Sequence, residues 1–315
     1  MENVLDHNED QKVSPWLMML VLTVYTIAGL FGFAVLSQLL MLPFFRFDFQ
    51  LMQEVFTYPA EHPESRLPLL ISQGITSIGA FFLTPYLFLR TFLKVPLQDF
   101  FSIPRPLVQP LVMTVIITFS FMVVNSVVVD WNQHLELPSF MSWFESQAKS
   151  KEVQLQQLTE YLTNFDGLFQ FAVGLVVIAL IPALGEEFLF RGLLQNLFRK
   201  GFGNPHAAIW LTALLFGAFH FQFYGAFPRM LLGVLFGYLY FWSGHLSLAM
   251  IGHFVNNAFT LVTLYFNSQI NYNITVEPEL PPTSLLLLFG AICAALLLVF
   301  RRYFQPDPVE EVAAE

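Results

Sequence analysis

Apolar runs of about twenty residues recur along this chain, separated by short polar connections, and they leave it few folds. A helix needs about 20 apolar residues to cross a bilayer. In lipid, every backbone polar group must be satisfied inside the spanning element, so such runs fold as helices. Eight can be placed, at 16–44, 68–92, 107–129, 169–198, 206–226, 228–243, 246–266 and 284–304. Charge usage agrees: 12% of the 315 residues are Asp, Glu, Lys or Arg, against about 25% in soluble domains. The expected fold is all-α: a polytopic membrane protein with about eight transmembrane helices around an intramembrane site.

The expected organisation is a tail at 1–15, one membrane domain at 16–304 and an acidic tail at 305–315. The first apolar run is too long for a signal-peptide core and lacks a small-residue cleavage site, so it reads as a retained first span. Lys and Arg set orientation. Arg90, Lys94 and Arg105, then Arg199 and Lys200, then Arg301 and Arg302 fall on one side if the N-terminus is cytoplasmic. Both termini are therefore expected inside, in a plasma (inner) membrane. The net charge of −9 comes largely from tails and outer loops, and no Lys/Arg-rich run points to nucleic acid. The single cysteine, Cys293, excludes an intramolecular disulfide and a cysteine-based zinc site.

Two further patterns are structural. Between 130 and 167, Met141, Phe144, Leu155, Leu158, Tyr161 and Leu162 recur at near-helical spacing among polar residues. They predict an amphipathic helix on the outer surface. Gly233 and Gly237 form a small-xxx-small pair that would let a neighbouring helix approach closely.

The fourth run carries Glu186, Glu187 and Arg191. Each costs roughly 2.5–3.5 kcal/mol at the bilayer centre on insertion scales, and charges at that depth mark function. Glu186 lies 14 residues before Lys200, about 21 Å along a helix. Adjacent helical residues point about 100° apart, so the two glutamates have different partners. Glu187 and Arg191 are i,i+4 and can pair; Glu186 must find its partner on another helix or in water. Pro182, one turn earlier, removes a backbone hydrogen bond and kinks the helix. The carbonyl it frees is expected to offer water or a substrate backbone something to bind. His220, 14 residues after His206, reaches a similar depth, and His253 and Asn257 share one face of the seventh run.

That set suits peptide hydrolysis, which needs an activated water, a base for its proton and donors for the oxyanion. Glu186 can be the base and His220 can hold the water. His253 and Asn257 offer N–H donors to the oxyanion.

These residues match the three motifs of the CPBP family, which includes the type II CAAX prenyl endopeptidases and the bacterial Abi proteins linked to bacteriocin processing or immunity. Glu-Glu-xxx-Arg is here Glu186-Glu187…Arg191, Phe-xxx-His is Phe216…His220, and His-xxx-Asn is His253…Asn257. The resemblance covers about 165–260. It implies an intramembrane endopeptidase with an eight-helix core, Glu186 as general base working with His220, and His253 and Asn257 as oxyanion hole. Glu187, Arg191 and Phe216 then belong to site architecture or substrate-terminus binding. The implied partners are a membrane-embedded or lipid-linked peptide and the bilayer, not nucleic acid.

Cofactor use stays open between two readings. Glu186, His220 and His253 could in principle form a zinc site, making the chain a metalloprotease. The His-Glu-xx-His motif is absent, however, and if His253 serves the oxyanion only two of the usual three catalytic ligands remain. Metal-free catalysis, with no cofactor, is the expectation. Two other functions compete: a proton-coupled transporter, since intramembrane Glu, His and Arg also mark ion paths, and a non-catalytic immunity protein. A transporter would show inverted repeats, and none is visible.

Overall fold

The computed structural model describes residues 13–97, 108–269 and 280–305. Within them the chain is helical throughout, with no strand. α1 (Pro15–Met41) leads through a short turn to α2 (Phe49–Thr57), whose first turn is capped by the Asp48 carboxylate accepting from the amides of Gln50 and Leu51. α3 covers 66–93, α4 Val108–Gln133 and α5 Ser142–Thr163. α6 (Leu168–Phe202) is followed by α7 (Pro205–Phe219), α8 (Phe223–Ser243), α9 (Leu246–Gln269) and α10 (Thr283–Phe304).

The molecule is a polytopic all-α membrane protein. Among the described residues, α1, α3, α4, α6, α9 and α10 are long and apolar enough to cross a bilayer; α7 is a shorter apolar helix of 15 residues. Many apolar side chains of α1 and α10 face outward, Phe31, Leu287 and Leu298 among them, as expected where the surrounding solvent is lipid. The tail at 1–12, Arg105, the middle of the 267–283 connection and residues 306–315 lie outside the described residues.

One expected boundary moves. The fifth and sixth runs were divided at residue 227, but α7 stops at Phe219 and α8 begins at Phe223. The break comes from a three-residue bend in which Phe221 adopts φ +52°. A residue with a side chain seldom takes that conformation, so nothing in the apolar pattern announces it. The start of α7 was legible by contrast: Asn204 Oδ1 accepts from the amides of His206 and Ala207, with Pro205 at the first helical position, a standard N-terminal arrangement. The amphipathic segment between 130 and 167 is helical as expected, forming α5.

α6 runs through the bundle and is not regular. Its α-helical turns are interrupted by wider π-type turns at Leu175–Leu180 and Phe188–Gln195. Such turns cluster at functional sites because they rotate the side chains that follow. Glu186 and Glu187 lie between the two, and Arg191 lies within the second.

α8 approaches α6 through the glycine pair. A Cβ on Gly233 would sit 3.2 Å from Arg191 Nη2, and one on Gly237 only 2.9 Å from Gln195 Oε1. With no side chain there, the backbone itself becomes the partner: Arg191 Nη2 donates to the Gly233 carbonyl (3.0 Å) and Gln195 Nε2 to that of Gly237 (3.2 Å). The expected close packing at these glycines is present, and it also supplies hydrogen bonds.

Candidate active site

Glu187 and Arg191 pair as their i,i+4 spacing requires. Arg191 Nη1 donates to Glu187 Oε1 at 2.7 Å, and neither side chain has any exposed surface. Burying two charges is costly unless further bonds complete them. Here the Gly233 carbonyl takes a second guanidinium hydrogen, while the guanidinium carbon lies 4.5 Å from the centre of the Phe216 ring and 5.8 Å from that of Phe236. Aromatic faces attract a desolvated cation.

His253 joins this pair from α9. Its Nδ1 lies 2.8 Å from the same oxygen, Glu187 Oε1. A carboxylate can only accept, so Nδ1 carries the hydrogen. That leaves Nε2 facing Glu186, whose Oε2 is 4.0 Å away. Nε2 is a hydrogen-bond donor only in the imidazolium form; in the neutral ring it is a lone pair. The ring is stacked on Phe236 (centroids 5.6 Å, 16°) and meets Phe216 edge-on (5.8 Å, 87°), so its orientation is fixed on three sides.

Glu186 Oε2 is buried and has no hydrogen-bond partner in the protein, although the side chain as a whole is 15% exposed. A buried carboxylate oxygen left without a partner is the exception in folded proteins and points to a site for a water or ligand. His253 Nε2, at 4.0 Å, is too far for a direct hydrogen bond to that oxygen.

His220 ends α7. Its Nδ1 lies 2.9 Å from the Phe216 carbonyl, another group that can only accept, so Nδ1 again carries the hydrogen and Nε2 presents a lone pair. Phe216 contacts the rings of both histidines and the Arg191 guanidinium.

Asn257, one turn beyond His253 on α9, bonds to other groups. Its Nδ2 reaches the Ile178 carbonyl at 3.4 Å, and its Oδ1 accepts from Asn256 Nδ2 at 2.9 Å. Ile178 is four residues before Pro182, so in a regular α-helix its carbonyl would be the one facing the proline's missing N–H. The freed carbonyl was expected to face water or a substrate. Instead the Asn257 side chain takes it, because α9 packs along this stretch of α6. One hydrogen of the Asn257 amide is thereby engaged and one is left over.

Three polar residues near the site were missed by sequence reasoning. Gln195 follows Arg191 at i+4 and repeats its contact to α8. Arg229 is an electrostatic neighbour of both Glu186 and His220; Gln222 accepts from Arg229 Nη2 at 2.6 Å. Arg229 carried the same signal as Glu186, a lone charge in an apolar run. Its place at the very start of the 228–243 run lets it read as a loop charge.

Among the described residues, no three His, Cys, Asp or Glu side chains are grouped to hold a metal ion, and Glu187 with Arg191 forms an internal pair rather than ligating groups.

Residues 168–259 match the family model described as type II CAAX prenyl endopeptidase Rce1-like. All seven motif residues, from Glu186 to Asn257, lie inside that segment. The chain is also 31% identical over 88 residues to the uncharacterized protein YpbD of Bacillus subtilis (strain 168), an alignment covering 27% of this chain and 42% of that protein. The chain thus spans under half the length of the curated relative it matches. No solved structure matches it.

Proposed function

We propose that this polytopic chain, whose residues 168–259 match the type II CAAX prenyl endopeptidase Rce1-like family model, is an intramembrane endopeptidase with Glu186 as its general base. The observation that carries the proposal is the unpartnered Glu186 Oε2 facing His253 Nε2 across 4.0 Å.

In this mechanism a water donates one hydrogen to Glu186 and the other to the Nε2 lone pair of His220. Its own lone pair is left directed at the substrate carbonyl. As the new C–O bond forms, the water's proton passes to Glu186 and negative charge collects on the carbonyl oxygen. His253, as imidazolium held by Glu187, donates from Nε2 to that oxygen, and the remaining Asn257 hydrogen is the second donor. Collapse of the intermediate breaks the C–N bond, and Glu186 returns the proton to the leaving amine. No step requires a metal. Glu187, Arg191 and Phe216 hold His253 and His220 in place.

The substrate class is a membrane-embedded or lipid-linked peptide, and the setting is a plasma membrane with both termini cytoplasmic. Comparative peptidomics of membranes carrying wild type or Glu186→Ala tests the reading and identifies the substrate. Peptides released by the wild type are expected to vanish in the variant. An unchanged peptide profile, together with an intact cellular phenotype, would instead support a non-catalytic immunity role. A chelator is expected to leave cleavage unchanged; loss of activity restored by zinc would replace this mechanism with a metal-dependent one.

A further inference from the structure

The bend that carries His220 is held from outside by α5. We propose that Glu152, Gln222 and Arg229 form a relay that clamps this bend, making them positioning residues for His220. The proposal rests on His220 belonging to the catalytic site, as read above.

The bend needs a clamp. Phe221 holds φ +52°, and its ring, 77% exposed, has few protein contacts to offset the unfavourable backbone. Such conformations persist only where the surroundings over-determine them. α5 supplies contacts from one face. The Phe144 ring meets Phe223 edge-on (5.4 Å, 89°), and Lys149 Nζ lies 6.0 Å from the centre of the Tyr224 ring while bonded to Glu145 at 2.6 Å. Glu152 Oε1 accepts from Gln222 Nε2 at 3.2 Å. The same amide turns its Oε1 to Arg229 Nη2 at 2.6 Å. Carboxylate, amide and guanidinium therefore run in one chain, from α5 across the bend to the first turns of α8. α4 holds the start of α8 in turn: Asn132 Oδ1 accepts from the Phe227 amide at 3.3 Å, and Asn125 Nδ2 donates to the Pro228 carbonyl at 3.2 Å.

The relay ends at the site. Arg229 is an electrostatic neighbour of Glu152, Glu186 and His220. Its Nη1 and Glu152 Oε2 are buried without hydrogen-bond partners, so Gln222 is the only direct bridge between these two charges among the described residues. The bridge ties the guanidinium to α5 through one amide, and releasing it would let both Arg229 and the bend move.

The test uses the full-length chain in detergent and in membranes. Hydrogen exchange is followed at 219–225, and product peptides are quantified relative to wild type and Glu186→Gln. Glu152→Ala is expected to speed exchange at 219–225 about tenfold and to lower product formation about 10²-fold, the scale of a small misplacement. Glu152→Gln keeps the acceptor oxygen and is expected to restore both to near wild type. If Glu152→Ala does not fold, Phe144→Ala carries the same expectation at a smaller size, faster exchange at 219–225 with reduced product. Unchanged exchange in the alanine variant, a glutamine variant as impaired as alanine, or product rising as though a lid had been freed would each overturn the clamp. If Glu186→Gln forms products normally, the catalytic reading fails while the exchange result still decides the clamp. If Glu186 dependence holds and exchange is unchanged, the clamp alone fails.

Discussion

One oxygen of Glu187 accepts from both Arg191 and His253, and that sharing organises the site at the scale of residues. It fixes the hydrogen of His253 on Nδ1 and turns Nε2 toward Glu186. Removing Arg191 leaves Glu187 as a buried, half-compensated charge. Arg191→Ala is therefore expected to cost about 3–5 kcal/mol, read as a lower thermal midpoint in detergent; an unchanged midpoint would contradict the pairing. Arg191→Lys keeps the charge but cannot reach both Glu187 and the Gly233 carbonyl with one planar fork, so a smaller loss is expected in the same assay. The local part of this arrangement was legible in the sequence, because residues four apart on a helix must meet. The link from Glu187 to His253 spans 66 residues and was not. Depth counting brought the two helices to one level without saying which glutamate each histidine would touch.

Helix α6 shows why the elements were easier to read than their joints. Its length and apolarity announced a span, and Pro182 announced a kink. The recipient of the Ile178 carbonyl was not readable, since it depends on how α9 lies against α6. The bend after α7 was hidden for another reason: its left-handed residue is a phenylalanine, a type that rarely takes that conformation. The glycine pair was readable as a place of close approach, though not as a source of acceptors for Arg191 and Gln195. Gly237→Val would put side-chain atoms onto Gln195 and Ile209, where even a Cβ comes within 2.9 Å. Overpacking of that kind costs about 1–3 kcal/mol. The expected result is a lower thermal midpoint together with reduced product formation. A variant as stable as wild type would mean that α8 can withdraw from α6 without penalty.

At the scale of the whole molecule, six long apolar helices among the described residues define a polytopic bundle, and the motif residues sit on α6, α7 and α9 within it. The proposed orientation, with both termini inside, rests on the Lys/Arg balance and is tested by labelling. A cysteine at position 305 (Gln305→Cys) is expected to react with a membrane-permeant thiol reagent but not with an impermeant one in intact cells; Cys293 is buried and should stay silent. Labelling by the impermeant reagent would reverse the topology and place α5 on the other side. The central claim concerns a single carboxylate, and the most direct measurement isolates it. Purified wild type and Glu186→Gln, equal in thermal midpoint, are reconstituted in liposomes with the peptide found by membrane peptidomics, and cleavage is timed. Loss of a general base predicts a rate about 10²–10⁴-fold lower in Glu186→Gln. A rate equal to wild type would show that Glu186 is not the base.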